Sequence, residues 1–244
     1  MPKKLIVANW KMNPPTVGEV LGILETIHEY TAALPEPSFS LVVCPPFVFL
    51  EEVSKAMPHE ILLGAQDIAL SDEASQTGEV SGEMLARLGV RYVIIGHSER
   101  RWKLNESDEV TRKKLRSALK HELTPIVCVG ERERTEQYAD VLREQLASTL
   151  EGLSDLERGR CVIAYEPVWA ISSNPGAHAD TPQSAAEAIA VLRTTLPEHT
   201  ILYGGSVTGE NAKAFLVQPG IDGVLVGGAS VRKEEFVSIL RATV

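Results

Sequence analysis

Cysteine is scarce in this 244-residue chain, and its placement limits the kinds of site to expect. Cys44, Cys128 and Cys161 all fall inside apolar, strand-like runs. An odd number of cysteines in such positions predicts reduced core thiols in a cytoplasmic protein. None has an adjacent base that would make it a nucleophile, and no spacing of Cys and His matches a zinc site. We therefore expect no bound metal.

Basic clusters and long apolar runs are also missing from the sequence. The 24 Lys and Arg residues are scattered among 33 Asp and Glu, and the net charge of −9 argues against nucleic acid as a partner. No apolar run approaches the length of a membrane span, and the apolar segment near Met1–Leu5 is too short for a signal peptide. We expect no membrane partner and a cytoplasmic location.

Short apolar runs alternate with helical patterns along the whole chain. Eight such runs are predicted to be strands: 5–10, 40–44, 61–66, 92–95, 125–129, 160–165, 201–203 and 223–226. They are apolar on both faces, as parallel strands covered by helices must be. Eight strand–helix units in about 250 residues predict a single (β/α)₈ barrel domain over residues 1–244. The alternative, an open doubly wound sheet, does not require eight evenly spaced units.

One carboxylate stands where the sixth predicted strand ends. Glu166 follows the buried run 160–165, and Pro167 prevents simple continuation of the strand. Burial at that place is expected to raise the pKa of Glu166 and make it a better base. On position alone, however, a solvated Glu that begins a loop is the more common case.

The other strand ends carry further polar and glycine residues. In a barrel of this kind the loops after the strands form one face, which carries the active site. Asn9 and Lys11 follow the first strand and His97 follows the fourth. Gly-Gly turns at 204–205 and 227–228 follow the last two strands, where backbone N–H groups can surround a phosphate. A single Gly-Gly pair is weak evidence, but two after the last two strands match the usual phosphate site of this fold.

Together these groups indicate proton abstraction beside the carbonyl of a small phosphorylated substrate. His97 precedes a short helix, whose N-terminus favours a neutral imidazole that can exchange protons with oxygen. Lys11 supplies a positive charge for a developing oxyanion, although a lysine after a strand is often only a surface residue. The other five histidines are interpreted as surface residues.

The chain resembles the triosephosphate isomerase family over its whole length. The segments that carry the resemblance are NWKMN at 9–13, GHSERR at 96–101, AYEPVWAI at 164–171, YGGS at 203–206 and GGAS at 227–230. The resemblance implies interconversion of dihydroxyacetone phosphate and glyceraldehyde 3-phosphate through an enediolate, without a cofactor. By resemblance, Glu166 is the base between carbons one and two, His97 moves protons between the oxygens, and Lys11 with Asn9 holds the substrate and balances its charge.

The resemblance also implies the residues around the phosphate and beside the lysine. It assigns the phosphate to the amides of Ser206, Gly227 and Gly228, together with that of Ser172 in the lid. Glu99 resembles the family's carboxylate beside Lys11, and the alternative for it is an ion pair with Arg100 or Arg101.

Two loops depart from the family pattern. The lid has SSNPGA at 172–177 where the family has a Gly-Thr-Gly-Lys run. Pro175 removes an N–H donor and favours extended geometry at Asn174, so lid closure is expected to differ. In loop 67–78, Asp67 and Gln76 replace a usual Asn and a usual aromatic residue, while Thr77 is retained. The family uses this loop to reach a partner subunit, which implies a homodimer.

Two other functions compete with the isomerase. An aldolase-type reaction would use Lys11 as a Schiff-base nucleophile, but nothing in the sequence near Lys11 lowers a lysine pKa. A phosphate-binding or regulatory protein that has lost catalysis through its altered lid is a different class of function. The intact set Lys11, His97 and Glu166 argues against it.

Overall fold

Eight parallel strands close into a barrel in the computed structural model, which describes residues 3–71, 76–171 and 176–243. The strands are β1 Lys4–Asn9, β2 Phe39–Cys44, β3 Ile61–Ala65, β4 Tyr92–Ile95, β5 Thr124–Val129, β6 Val162–Tyr165, β7 Ile201–Tyr203 and β8 Gly223–Val226. Each strand pairs in parallel with its sequence neighbour, and β1 also pairs with β8 through Leu5 and Gly223. The predicted (β/α)₈ barrel is confirmed.

Helices follow the strands and cover the outside of the barrel. In the described part of the chain they are α1 Val17–Ala32, α2 Leu50–Ala56, α3 Gly82–Arg87, α4 Ser98–Lys103, α5 Asp108–Lys120, α6 Tyr138–Thr149, α7 Asp155–Gly159, α8 Pro182–Thr195, α9 Ala212–Leu216 and α10 Lys233–Arg241. Short 3₁₀ helices lie at Phe47–Phe49, Val168–Ala170 and Gly228–Val231. None of these described helices combines the length and the apolar character that crossing a membrane requires.

Caps fix several helix starts close to the cavity face. The Thr181 side chain accepts the Ser184 N–H, and Pro182 occupies the first turn of α8, where its missing N–H costs nothing. Ser107 caps α5 in the same way by accepting the Val110 N–H. These caps set where the chain leaves each loop and begins the helix that packs on the barrel.

The core has an inner and an outer layer. Alternate residues of β1 separate into the two layers: Leu5 and Val7 pack inside the barrel, whereas Ile6 and Ala8 pack against the helices. Asn9 continues the inward-facing series at the carboxyl end of the strand. The same alternation therefore fills the barrel and delivers a polar side chain to its mouth.

All three cysteines are buried, as predicted. Cys44 and Cys128 belong to the inner layer, and Cys161 packs with the outer layer beside the start of β6. Burial raises the pKa of each thiol, and for Cys161 it reaches about 12. The thiols are therefore protonated and enclosed in the native protein.

Candidate active site

A cavity of about 360 Å³ opens at the carboxyl ends of the strands. Five of the loops that follow strands contribute to its wall, those after β1, β4, β6, β7 and β8. The predicted site residues that line it are Asn9, Lys11, His97, Glu166, Ser206, Gly227 and Gly228. Its size lies within the range typical of small-molecule sites. The fold thus brings together residues that are more than 200 positions apart in sequence.

Glu166 is buried, and donors hold both of its carboxylate oxygens. Its main-chain N–H donates to the Val129 carbonyl at 2.8 Å, which extends the β5–β6 pairing up to Glu166. Oε1 lies 3.0 Å from Nε2 of His97, and Oε2 accepts the Ser98 N–H at 2.8 Å. The carboxylate is 2% exposed.

The environment of Glu166 lowers its pKa, so the prediction of a raised pKa was wrong for this arrangement. Burial opposes ionisation, but the contacts with His97, the Ser98 amide and the charge of Lys11 outweigh it. Position in the sequence predicts the burial of Glu166 but not its donors, because those lie on the loop after β4, far away in sequence.

His97 caps α4 with its own ring. Nδ1 accepts the backbone N–H of Glu99 at 3.2 Å, so that nitrogen carries no proton. In the neutral ring the proton then lies on Nε2, which donates to Glu166. These contacts define a neutral imidazole whose Nε2–H faces the cavity.

Lys11 has a left-handed backbone, with φ of 54°. Such a conformation is strained for a residue with a side chain and needs support from its surroundings. Asn9 Oδ1 accepts the Lys11 N–H at 3.1 Å, and Gln66 Nε2 donates to the Lys11 carbonyl at 2.8 Å. The ammonium donates to Glu99 Oε1 at 2.9 Å. Hydrogen bonds therefore hold both the backbone and the ammonium group of Lys11 in place.

Glu99 lies beside Lys11, and the arginines after it have other partners. Burial opposes ionisation of Glu99, but Lys11 outweighs that effect and lowers the pKa of the carboxyl. Arg100 pairs with Glu106 at 2.6 Å, and Arg101 pairs with Asp108. Glu99 is thus the anionic partner that balances Lys11 when the cavity holds no substrate.

The glycine turns after β7 and β8 form part of the cavity wall. Close packing explains two of these glycines: a Cβ on Gly205 would overlap the Tyr203 hydroxyl, and one on Gly227 would lie 3.3 Å from Cε of Lys11. The Ser206 hydroxyl donates to the Ala170 carbonyl at 2.8 Å, which ties this turn to the start of the lid. Ser172, predicted as a phosphate contact, lies outside the described residues.

Comparison with known proteins agrees with this geometry. Residues 4–243 match the family model described as triosephosphate isomerase. A protein named triosephosphate isomerase from Caldanaerobacter subterraneus subsp. tengcongensis is 42% identical, over 98% of this chain and 99% of that protein. Proteins of the same name from Alkaliphilus metalliredigens and Shewanella sediminis are 41% and 38% identical, and the alignments cover 96% or more of both chains.

The chain belongs to the triosephosphate isomerase family.

Residues that the sequence argument did not single out also build this triosephosphate isomerase site. Gln66 stands at the end of the third strand, and that position could have identified it. Ser98 acts through its backbone, which no residue type reveals. Glu131 is buried and accepts from the Tyr165 hydroxyl at 2.9 Å and from Trp169 Nε1 at 3.0 Å, so it holds the segment between Glu166 and the lid.

The described residues provide no cluster of side chains for a metal ion. Within 3–71, 76–171 and 176–243, no group of three or more His, Cys, Asp or Glu side chains could hold an ion. The ionisable side chains of described residues that line the cavity are those of Glu166, His97, Lys11 and Arg232. A carboxylate, an imidazole and a cation are groups that proton transfer between carbon and oxygen can use.

Proposed function

We propose how the cavity residues divide the work of the triosephosphate isomerase reaction. The chain catalyses the interconversion of dihydroxyacetone phosphate and D-glyceraldehyde 3-phosphate, an aldose–ketose isomerisation in glycolysis and gluconeogenesis. The observation that carries the division is the contact between Glu166 and the neutral His97, because it places a base and an oxygen-directed donor side by side. A proton leaves one carbon as negative charge develops on the neighbouring oxygen, so both are needed at once.

Glu166 is the base that moves the proton between carbons one and two. In the arrangement described, His97 and Ser98 engage both carboxylate oxygens. The carboxylate must therefore give up at least one of these bonds to reach a substrate carbon. This exchange removes donors that lower its pKa, so the carboxylate becomes more basic as it takes up its working position.

His97, Lys11 and Asn9 act on the substrate oxygens. His97 gives its Nε2 proton to the oxygen on which charge develops and takes a proton from the neighbouring oxygen, so the imidazole ends neutral and the reaction passes through an enediolate. The Lys11 ammonium, held at a fixed place, stabilises that charge. Because Lys11 carries a full positive charge beside Glu99, a Schiff-base role, which needs a neutral amine, is disfavoured.

The substrate phosphate binds at the glycine turns. The amides of Ser206, Gly227 and Gly228 lie at the cavity wall, where an anion can accept several N–H bonds. The amide of Ser172 adds a further bond when the lid closes, and closure keeps water from the enediolate. Residues 1–244 form one domain of a cytoplasmic enzyme.

A homodimer completes the assembly through loop 67–78. A second cavity of about 400 Å³ shares Lys11, His97 and Glu99 with the first, and Met12 and Leu104 form its apolar wall. Met12 is 93% exposed and Leu104 is 60% exposed. An apolar, concave surface beside a catalytic lysine fits the corresponding loop of a second copy, and closed two-fold symmetry is the commonest arrangement.

Replacing Glu166 by Gln tests the division of labour. The amide preserves shape but removes basicity, so kcat should fall by at least the ~10²–10⁴ typical of a general base, while KM changes little. A coupled assay with glyceraldehyde 3-phosphate measures both constants. Glu133, which lies outside the cavity, provides the control: Glu133→Gln should retain full turnover. Near-normal turnover in the Glu166 variant would refute the assignment of the base.

A further inference from the structure

Arg232 stands at the mouth of the active-site cavity, next to the glycine turn after β8. It follows the 3₁₀ helix Gly228–Val231 directly and precedes α10. Its side chain is 59% exposed and lines the cavity together with Gly227 and Gly228. It therefore lies between bulk solvent and the proposed phosphate site.

Two contacts orient the guanidinium. Nη1 donates to the Gly228 carbonyl at 3.2 Å, and Nε donates to Glu235 on the first turn of α10. A Cβ built on Gly228 would lie 3.7 Å from Nη1, which shows how closely the guanidinium approaches this turn. Within the described parts of the chain, Nη2 makes no hydrogen bond that would use its two N–H groups. The guanidinium is therefore held in place, and its Nη2 donors remain available for a ligand.

The charges of the cavity give this position its significance. Of the described residues that line the cavity, Lys11 and Arg232 are the two with a permanent positive charge. Lys11 is paired with Glu99 and lies beside Gly227. Its side chain is only 22% exposed, whereas the Arg232 side chain is more than half exposed. The chain as a whole carries a net charge of −9, which repels a dianionic substrate at long range. The Arg232 guanidinium pairs with Glu235 through Nε only, so its remaining N–H donors still present positive charge where the phosphate enters.

We propose that Arg232 captures the phosphate group of the substrate at the cavity mouth and guides it onto the amides of Gly227 and Gly228. This role rests on the proposed phosphate site. Arg232 does not touch the reacting carbons, so it acts on binding and association and leaves the proton transfers unchanged. Arg232 recognises the phosphate dianion and does not depend on the rest of the substrate molecule.

The test compares Arg232→Gln with Arg143→Gln. Arg143 is also exposed and also pairs with an acidic residue three positions away, but it lies on α6 outside the cavity. Both variants change the net charge equally. At low ionic strength, Arg232→Gln should lower kcat/KM for glyceraldehyde 3-phosphate about three- to tenfold and weaken competitive inhibition by inorganic phosphate similarly. Added salt should shrink both effects, and Arg143→Gln should show neither.

Two further measurements separate capture from a structural role. Arg232→Lys keeps the charge and should recover most of kcat/KM. Activity on glyceraldehyde, which has no phosphate, should be equal in the wild type and in Arg232→Gln. An equal loss on glyceraldehyde, or an unchanged inhibition constant for inorganic phosphate, would overturn the proposal. If inorganic phosphate did not compete even in the wild type, the proposed phosphate site itself would be wrong.

Discussion

The protonation of Glu166 depends on three groups that reach it from other loops. Its carboxylate lies between the imidazole of His97 and the amide of Ser98, within the field of Lys11. These contacts stabilise the anion more than burial destabilises it. Glu166 is therefore ionised at neutral pH.

Glu166 should titrate below pH 4.5, the ordinary value for a glutamate, in the free protein. Because its folded pKa is depressed, its ionisation stabilises the folded state above the unfolded pKa, and that stabilisation is lost as pH falls through the folded pKa. Carbon NMR of the side-chain carboxyl, assigned by loss of the signal in Glu166→Gln, measures the midpoint. A midpoint above 4.5 would mean that burial dominates after all.

The sequence identified side chains that line the cavity but not the contacts that hold them. Glu166, His97 and Lys11 each follow a recognisable buried strand, so their common face followed from the alternation of strands and helices. The support of Lys11 by Gln66 and the donation from Ser98 did not follow. Both contacts depend on how loops that are distant in sequence are positioned relative to each other. The Ser98 contact, moreover, involves only a backbone N–H.

Strand ends on β5 and β6 come closest at Gly130 and Glu166. Val129 is in register with Tyr165, so the next residue on each strand continues the pair. A Cβ on Gly130 would overlap the carbonyl oxygen of Glu166. The Gly130 N–H is meanwhile held by Gln145 Oε1 at 2.7 Å, which leaves this backbone little freedom to move. A glycine is thus required for the base to sit where it does.

Gly130→Ala should destabilise the fold by about 1–3 kcal/mol, the usual cost of forcing atoms into a packed site. It should also lower kcat, because relief of the overlap must displace the main chain of Glu166. Gly159→Ala is the matched control, since a Cβ there meets nothing within 4 Å. Denaturant unfolding and steady-state kinetics provide the two readouts. Equal stability of the two variants would show that β5 and β6 can separate without cost.

Short elements were harder to predict than strands. The run Ser154–Glu157 contains a capping box, with both of its reciprocal bonds formed, yet α7 was not predicted. Five residues are too few to show a hydrophobic period, and the buried apolar residues beside it belong to the neighbouring strand and loop. The strands were predicted because four or five apolar, β-branched residues in a row are enough to indicate a strand.

At the scale of the whole molecule, Met12 tests the proposed dimer. Met12→Asp places a charge on the apolar wall of the second cavity and should convert the dimer to a monomer at micromolar concentration. Leu156→Asp is the control, because Leu156 is 81% exposed but lies on α7, away from that cavity. Light scattering measures the mass of each. A monomeric wild type with full activity would refute the dimer, and a dimeric Met12 variant would place the interface elsewhere.

The buried thiols can serve as probes of local opening of the barrel. Because burial raises the pKa of Cys161 to about 12, its thiol is protonated at neutral pH, and the side chain is shielded as well. Cys44 and Cys128 lie inside the barrel, on different strands. Alkylating reagents and peroxides must therefore wait for a fluctuation that exposes each sulfur. The order in which the three sulfurs become modified would show which strands of the barrel separate first.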